Sequence, residues 1–199
     1  MGSLFTNTCL VGTSTHHIGV FGCTLSKPSD PAILLDATQN ITANRHLTFQ
    51  IVNSACVVSE QHLLFAAIHA LRAFFRGTQR ASTLALEILR FAAAQRQISE
   101  ALTQLGITKA TQQLAGVLVS PNEDTLHQSY SAFQEKVNAI DTPDVLTIAN
   151  ETKLQTICEA FQIKTQELEA IVGSSSFDQR CDAVQKLVYE RCALLAVSH

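Results

Sequence analysis

Apolar residues fall into two regimes along this chain. From His17 to Leu25, and again from Ala32 to Asp36, they run almost without interruption, and Ser26-Lys27-Pro28-Ser29-Asp30-Pro31 between them is a strong turn. That pattern predicts two strands of a hairpin or a sheet edge. Ala43 to Asn53 fits either period, and Ala55 to Val58 is short and leans towards β. Helical spacing then takes over. Ser59 suits an N-cap and Glu60 a first turn, while Leu64, Ile68, Leu71 and Phe75 recur on one face before Gly77 closes the helix.

Ser82 is the predicted cap of a second helix, which turns either Leu84, Ile88 and Phe91 or Ala85, Leu89 and Ala92 inward. A third, short helix is expected from Ser99 to Leu105, ending at Gly106. Leu114 to Ser120 reads as a strand closed by Pro121-Asn122, and Val145 to Ala149 as another. Helices follow from Thr152 to Phe161 and from Thr165 to Ile171, the latter stopped by Gly173. Ser176-Phe177-Asp178-Gln179 is a capping box, and behind it Cys181, Val184, Val188, Cys192 and Leu195 form the apolar face of a C-terminal helix.

Composition narrows the picture. The 199 residues suit a single unit. Only 16% are charged, below the roughly 25% of an average soluble domain. The net charge of −3 conceals a division: residues 41–110 carry seven basic and three acidic side chains, and residues 111–199 six basic and twelve acidic. A positive segment within an acidic chain can steer a polyanion.

On the Glu60–Arg76 helix, about 100° per residue brings His62, His69, Arg72 and Arg76 onto one stripe, opposite the apolar one. Arg80 follows, and Arg96 begins the break in AAAQRQISEALTQLGI, where a run of helix formers stops and restarts. A solvated polar face is the plainer reading of the same residues.

The six cysteines contain no C-x-x-C pair, and no histidine stands at zinc-finger spacing, so neither a metal nor another cofactor is expected. They read as reduced thiols of a cytoplasmic protein, or of a nuclear one in a eukaryote. The uncharged N-terminus lacks the architecture of a signal peptide or membrane span. Met1-Gly2-Ser3-Leu4-Phe5-Thr6 matches the N-myristoylation pattern formally. No phosphate loop, nucleophile elbow or kinase signature supports catalysis.

The ordered set Arg80-x-x-Thr83-Leu84-x-x-Glu87-Ile88-Leu89, then Ala94-x-Arg96-Gln97-Ile98-Ser99-Glu100-Ala101-Leu102, then Leu105-Gly106-Ile107 resembles a known family. It is similar to the CGI-121/TPRKB family, the small kinase-binding subunit of the KEOPS tRNA-modifying complex, most specifically over Val58 to Ser120. The resemblance implies one α/β domain of the α+β type, with a mainly antiparallel sheet, packed helices and a helical C-terminus.

The family's members are not enzymes. They bind and stimulate the complex's small atypical kinase/ATPase, in support of threonylcarbamoyl transfer to the adenosine beside the anticodon. Members of the archaeal type also bind the tRNA 3′ CCA end, and Arg96-Gln97-Ile98 resembles that branch.

Those three residues offer a cation for phosphate, a polar edge for a base and an apolar surface for stacking. Equally, Gln97 or Ser99 could cap the helix, with Ile98 as its staple. Arg72, Arg76, Arg80, Arg96, Gln97 and Ile98 are therefore the candidate tRNA-binding residues. Leu187, Leu194 and Leu195, on a C-terminal helix more apolar than one core needs, are the candidate kinase contacts.

Overall fold

In the computed structural model, Phe5–Val11 (β1) and Ser14–Leu25 (β2) form a hairpin, turning through Gly12 at φ 63°. A positive φ suits glycine, and the Phe75 ring lies where a Cβ at Gly12 would stand. The described residues are 3–43, 45–172 and 176–197, so Gly2 of the acylation pattern and Gly173, the expected helix stop, lie outside them.

The segment read as a strand from Ala32 to Asp36 is instead helical, Pro31–Thr42 (α1). Asp30 Oδ1 accepts the Ala32 N–H at 2.9 Å, Pro31 occupies the first turn, and Leu34, Ala37 and Thr38 bury at helical spacing. The Ser-to-Pro turn was therefore a helix start, and the missing strand lies upstream in β1. Thr48–Asn53 (β3) resolves the ambiguous stretch as a strand, while Ala55 to Val58, read as β-leaning, forms no strand and begins inside a 3₁₀ turn, Ser54–Cys56.

Glu60–Arg76 (α2) has the expected Ser59 cap and a left-handed Gly77 at φ 68°. Its inward face is different. Leu63, Ala66, Ala67, Ala70, Leu71 and Ala73 are buried, and His62 with them, while Leu64 and Ile68 are half-buried and Phe75 is exposed. Four alanines let α2 approach the sheet more closely than the Leu64–Phe75 stripe would.

Leu84–Ala92 (α3) is capped by Thr83, not Ser82, through a hydrogen bond from the Leu86 N–H. Ile98–Leu105 (α4) starts one residue early, with Gln97 in the cap position and no side-chain cap bond from either Gln97 or Ser99. Gln113–Ser120 (β4) is the expected strand.

Glu123–Val137 (α5) had no sequence-based counterpart. Asn122 caps it, Asn138 closes it in the left-handed region, and Leu126, Tyr130 and Phe133 face inward. Ala139–Asp141 (β5) follows. The strand expected from Val145 to Ala149 does not form: Val145 and Leu146 end a 3₁₀ turn, Pro143–Leu146, that buries both, and residues 147–149 are irregular. Glu151–Ala160 (α6), Thr165–Val172 (α7) and Phe177–Val197 (α8) complete the chain. The capping box forms: Ser176 N–H donates to Gln179 Oε1 at 3.0 Å, and Gln179 N–H to Ser176 Oγ at 3.4 Å.

The sheet order is β1-β2-β4-β3, with β5 also pairing β2, and every pairing is antiparallel. Helices cover both faces, which is why β2 and β4 read as continuous apolar runs. Ile18, Val20, Val117 and Val119 meet the layer of α2, α3, α4, α6 and α8. Phe21, Cys23, Leu114 and Leu118 meet α1 and α5, where Phe21 stacks on Tyr130 at 4.3 Å. The result is one α+β domain.

Candidate functional site

The junction quoted from the sequence is a Schellman ending. Gln95 N–H donates to Arg90 O at 3.1 Å, Ala94 N–H donates to Phe91 O at 3.0 Å, and Ala94 takes φ 51°. Alanine in the left-handed region stores on the order of 1–2 kcal/mol. Two buried anchors hold α3, one at each end.

His62 Nε2 lies 2.8 Å from Ala92 O, so that nitrogen carries the proton and donates. Its ring is fully buried against Phe161, burial pushes its pKa down to about 4, and Nδ1 has no hydrogen-bond partner. The second anchor is Glu87, whose carboxylate takes the buried Arg90 guanidinium at 2.6 and 3.2 Å and the N–H groups of Ala81 at 2.9 Å and Arg80 at 3.3 Å. This buried pair fixes the α2–α3 loop to α3.

Above the turn lies an open groove of about 510 Å³. One wall carries Ala94, Gln95, Arg96, Gln97 and Glu100; the other carries Phe161 and Gln162 from the end of α6, and Arg191, Leu194 and Leu195 from α8. Gln162 sits in a second Schellman turn at φ 54°, Ile163 N–H donating to Cys158 O at 2.8 Å. Arg96 and Gln97 are exposed at the mouth, and Ile98 is half-buried rather than fully presented.

The candidate residues divide into two groups. Arg72, Arg76 and Arg80 are exposed, but they lie at the far end of α2 and in the loop that follows it. His62 touches the α3 terminus and stands fourteen residues from Arg76, so the helical rise separates the groups by roughly 20 Å. His62 leaves the predicted polar stripe altogether, and burial together with Arg72 and Arg76 lowers the His69 pKa. Among the described residues, none of the four arginines forms an ion pair.

Of the residues named for the kinase, Leu187 (5% exposed) and Leu195 (6%) belong to the domain's own core; Leu194 (52%) lies on the groove wall beside the RNA candidates. A separate apolar groove of about 290 Å³, lined by Gln61, Leu64, Phe65, Ile68 and Tyr189, was missed. Its signal was present, since α2 carries two apolar faces and the sheet can cover only one. Among the described residues, no three His, Cys, Asp or Glu side chains come together as a metal cluster, and no helix is long and apolar enough to cross a membrane.

Fold and surface define an α+β domain that presents one polar and one apolar open groove. The family model described as Kinase binding protein CGI-121 matches residues 33–196, and the chain belongs to that family. The match runs from α1 to the end of α8, taking in both grooves, and supports a kinase-binding role. No individual curated protein matches the sequence.

Proposed function

We propose that this protein is the small regulatory subunit of a KEOPS-type complex: it binds and activates the small atypical kinase/ATPase, and it recruits tRNA by the 3′ CCA end for threonylcarbamoyladenosine modification next to the anticodon. The observation that carries the RNA part is Arg96-Gln97 at the mouth of an open groove, with Ile98 the next residue in the chain, on a turn that His62 holds. Arg96 offers a cation and Gln97 an amide edge, and the half-buried Ile98 follows them as an apolar side chain, which suits a single-stranded end. Arg72, Arg76 and Arg80, roughly 20 Å along the same helical layer, are positioned for backbone phosphates further into the acceptor stem. Leu64, Phe65, Ile68 and Tyr189 form the surface we assign to the kinase, in place of Leu187 and Leu195. The chain contributes no chemistry of its own, and a cytoplasmic setting suits its six unpaired cysteines.

Filter binding across a salt series tests the RNA role. Arg96→Glu and Ile98→Glu should each weaken tRNA binding, as should removal of CCA from wild-type ligand; unchanged affinity in both variants leaves a protein-only scaffold. For the kinase, Ile68→Glu should abolish co-purification while Leu194→Asp retains it, and the reverse result would return the contact to the polar groove. ATP turnover should be absent with the chain alone and higher in the mixture than with the kinase alone. An activator must bind the partner's active state more tightly than its resting one.

A further inference from the structure

The groove holds a second arginine opposite Arg96, and it is already engaged. Arg191 donates from Nη2 to both carboxylate oxygens of Glu167, at 2.9 and 3.1 Å, and to Gln162 O at 3.4 Å. Glu167 belongs to α7, which is lightly held: from Thr165 to Ile171 no residue is fully buried, and only Glu167 and Leu168 are even half-covered. Arg191 therefore ties a loosely attached helix to the wall of a groove that carries the RNA candidates on its other side.

We propose that Arg191 is a second phosphate ligand of this groove, occupied in the free protein by Glu167, and that an entering RNA 3′ end displaces the carboxylate and releases α7 from α8. The inference rests on the RNA reading above.

Two arguments favour it. Both members of the pair are partly solvated, with side chains 23% and 36% exposed, and such pairs contribute little to stability, so the exchange costs little. The planar guanidinium suits a phosphate at least as well as a carboxylate. Against an anion, α3 and α6 both end at this groove, each bringing the partial negative charge of a helix C-terminus, and Glu100 lines it. An anion entering between two such ends needs a cation on each wall, and Arg96 supplies only one.

The test is a double-mutant cycle on full-length protein, with tRNA ending in CCA as the probe and binding measured by anisotropy over a salt series. Arg191→Gln should weaken binding about 5- to 10-fold and reduce the salt slope by about one phosphate contact. Glu167→Gln should tighten it about 2- to 5-fold, the range of an exposed pair, and this gain should vanish when Arg191→Gln is also present. Amide exchange over residues 165–171 should accelerate when tRNA binds. If Glu167→Gln tightens binding equally in the Arg191→Gln background, the effect is bulk charge and the proposal fails. It fails too if Arg96→Glu abolishes binding while Arg191→Gln leaves it unchanged, or if exchange in α7 slows. Absence of wild-type binding to CCA-ended tRNA would overturn the RNA reading and this inference together.

Discussion

Acidification from pH 7.5 to 4.5 should destabilise this fold through one side chain, His62. It is fully buried, its Nε2–H holds the last turn of α3, and its Nδ1 has no partner that could share a second proton. Burial lowers its pKa from 6.5 to about 4, so in this window the unfolded chain binds the proton that the native one refuses. Stability is therefore fully present above pH 6.5 and is lost progressively as pH falls towards 4. With about 1.4 kcal/mol per pH unit, the loss by pH 4.5 is roughly 2–3 kcal/mol. For a domain of this size that amounts to a midpoint shift of about 1 M urea.

The comparison is His62→Gln, whose amide can still donate to Ala92 O but does not titrate. Urea unfolding of both proteins at the two pH values isolates the histidine, because every other ionisable group is common to the two and cancels. The wild type should lose roughly 2–3 kcal/mol more than the variant. Equal losses would show that His62 is not the neutral, buried anchor described above, and the account of the α3–α4 turn would have to be rebuilt.

Glu87→Gln should cost about 3–5 kcal/mol in chemical denaturation, because Arg90 would be left buried without its counter-charge; a loss under 1 kcal/mol would mean that solvent reaches the pair. Gln162→Gly should raise the melting temperature by about 2 °C, relieving a left-handed φ of 54° at an exposed position, and a decrease would contradict the assigned backbone. Arg96→Glu should leave the melting temperature within about 2 °C of wild type while weakening tRNA binding, and a large drop in melting temperature would make it a structural residue.

Local rules made much of this protein legible. The Ser59 cap and Gly77 stop, the Ser176–Gln179 box, the β4 strand and the buried face Cys181-Val184-Val188-Cys192-Leu195 each depend on residues within one or two turns of each other, so the sequence carries them whole. α5 was not read from the sequence: the Asn122 cap and the inward spacing of Leu126, Tyr130 and Phe133 are there, but few other apolar residues reinforce that face.

What the sequence could not decide was which of two faces a helix buries. Both α2 faces are apolar, and only the sheet's demand for close approach selects the alanine-rich one, leaving Leu64 and Ile68 on a surface groove and drawing His62 into the core. The same limit applied to charge. Arg90 and Arg96 look alike in the chain, yet one is neutralised by a buried Glu87 and the other stands at an open groove. Arg191, nearly a hundred residues from Arg96, joins it only because α6 and α8 end where α3 does, and non-local packing of that kind leaves no periodic trace in a sequence.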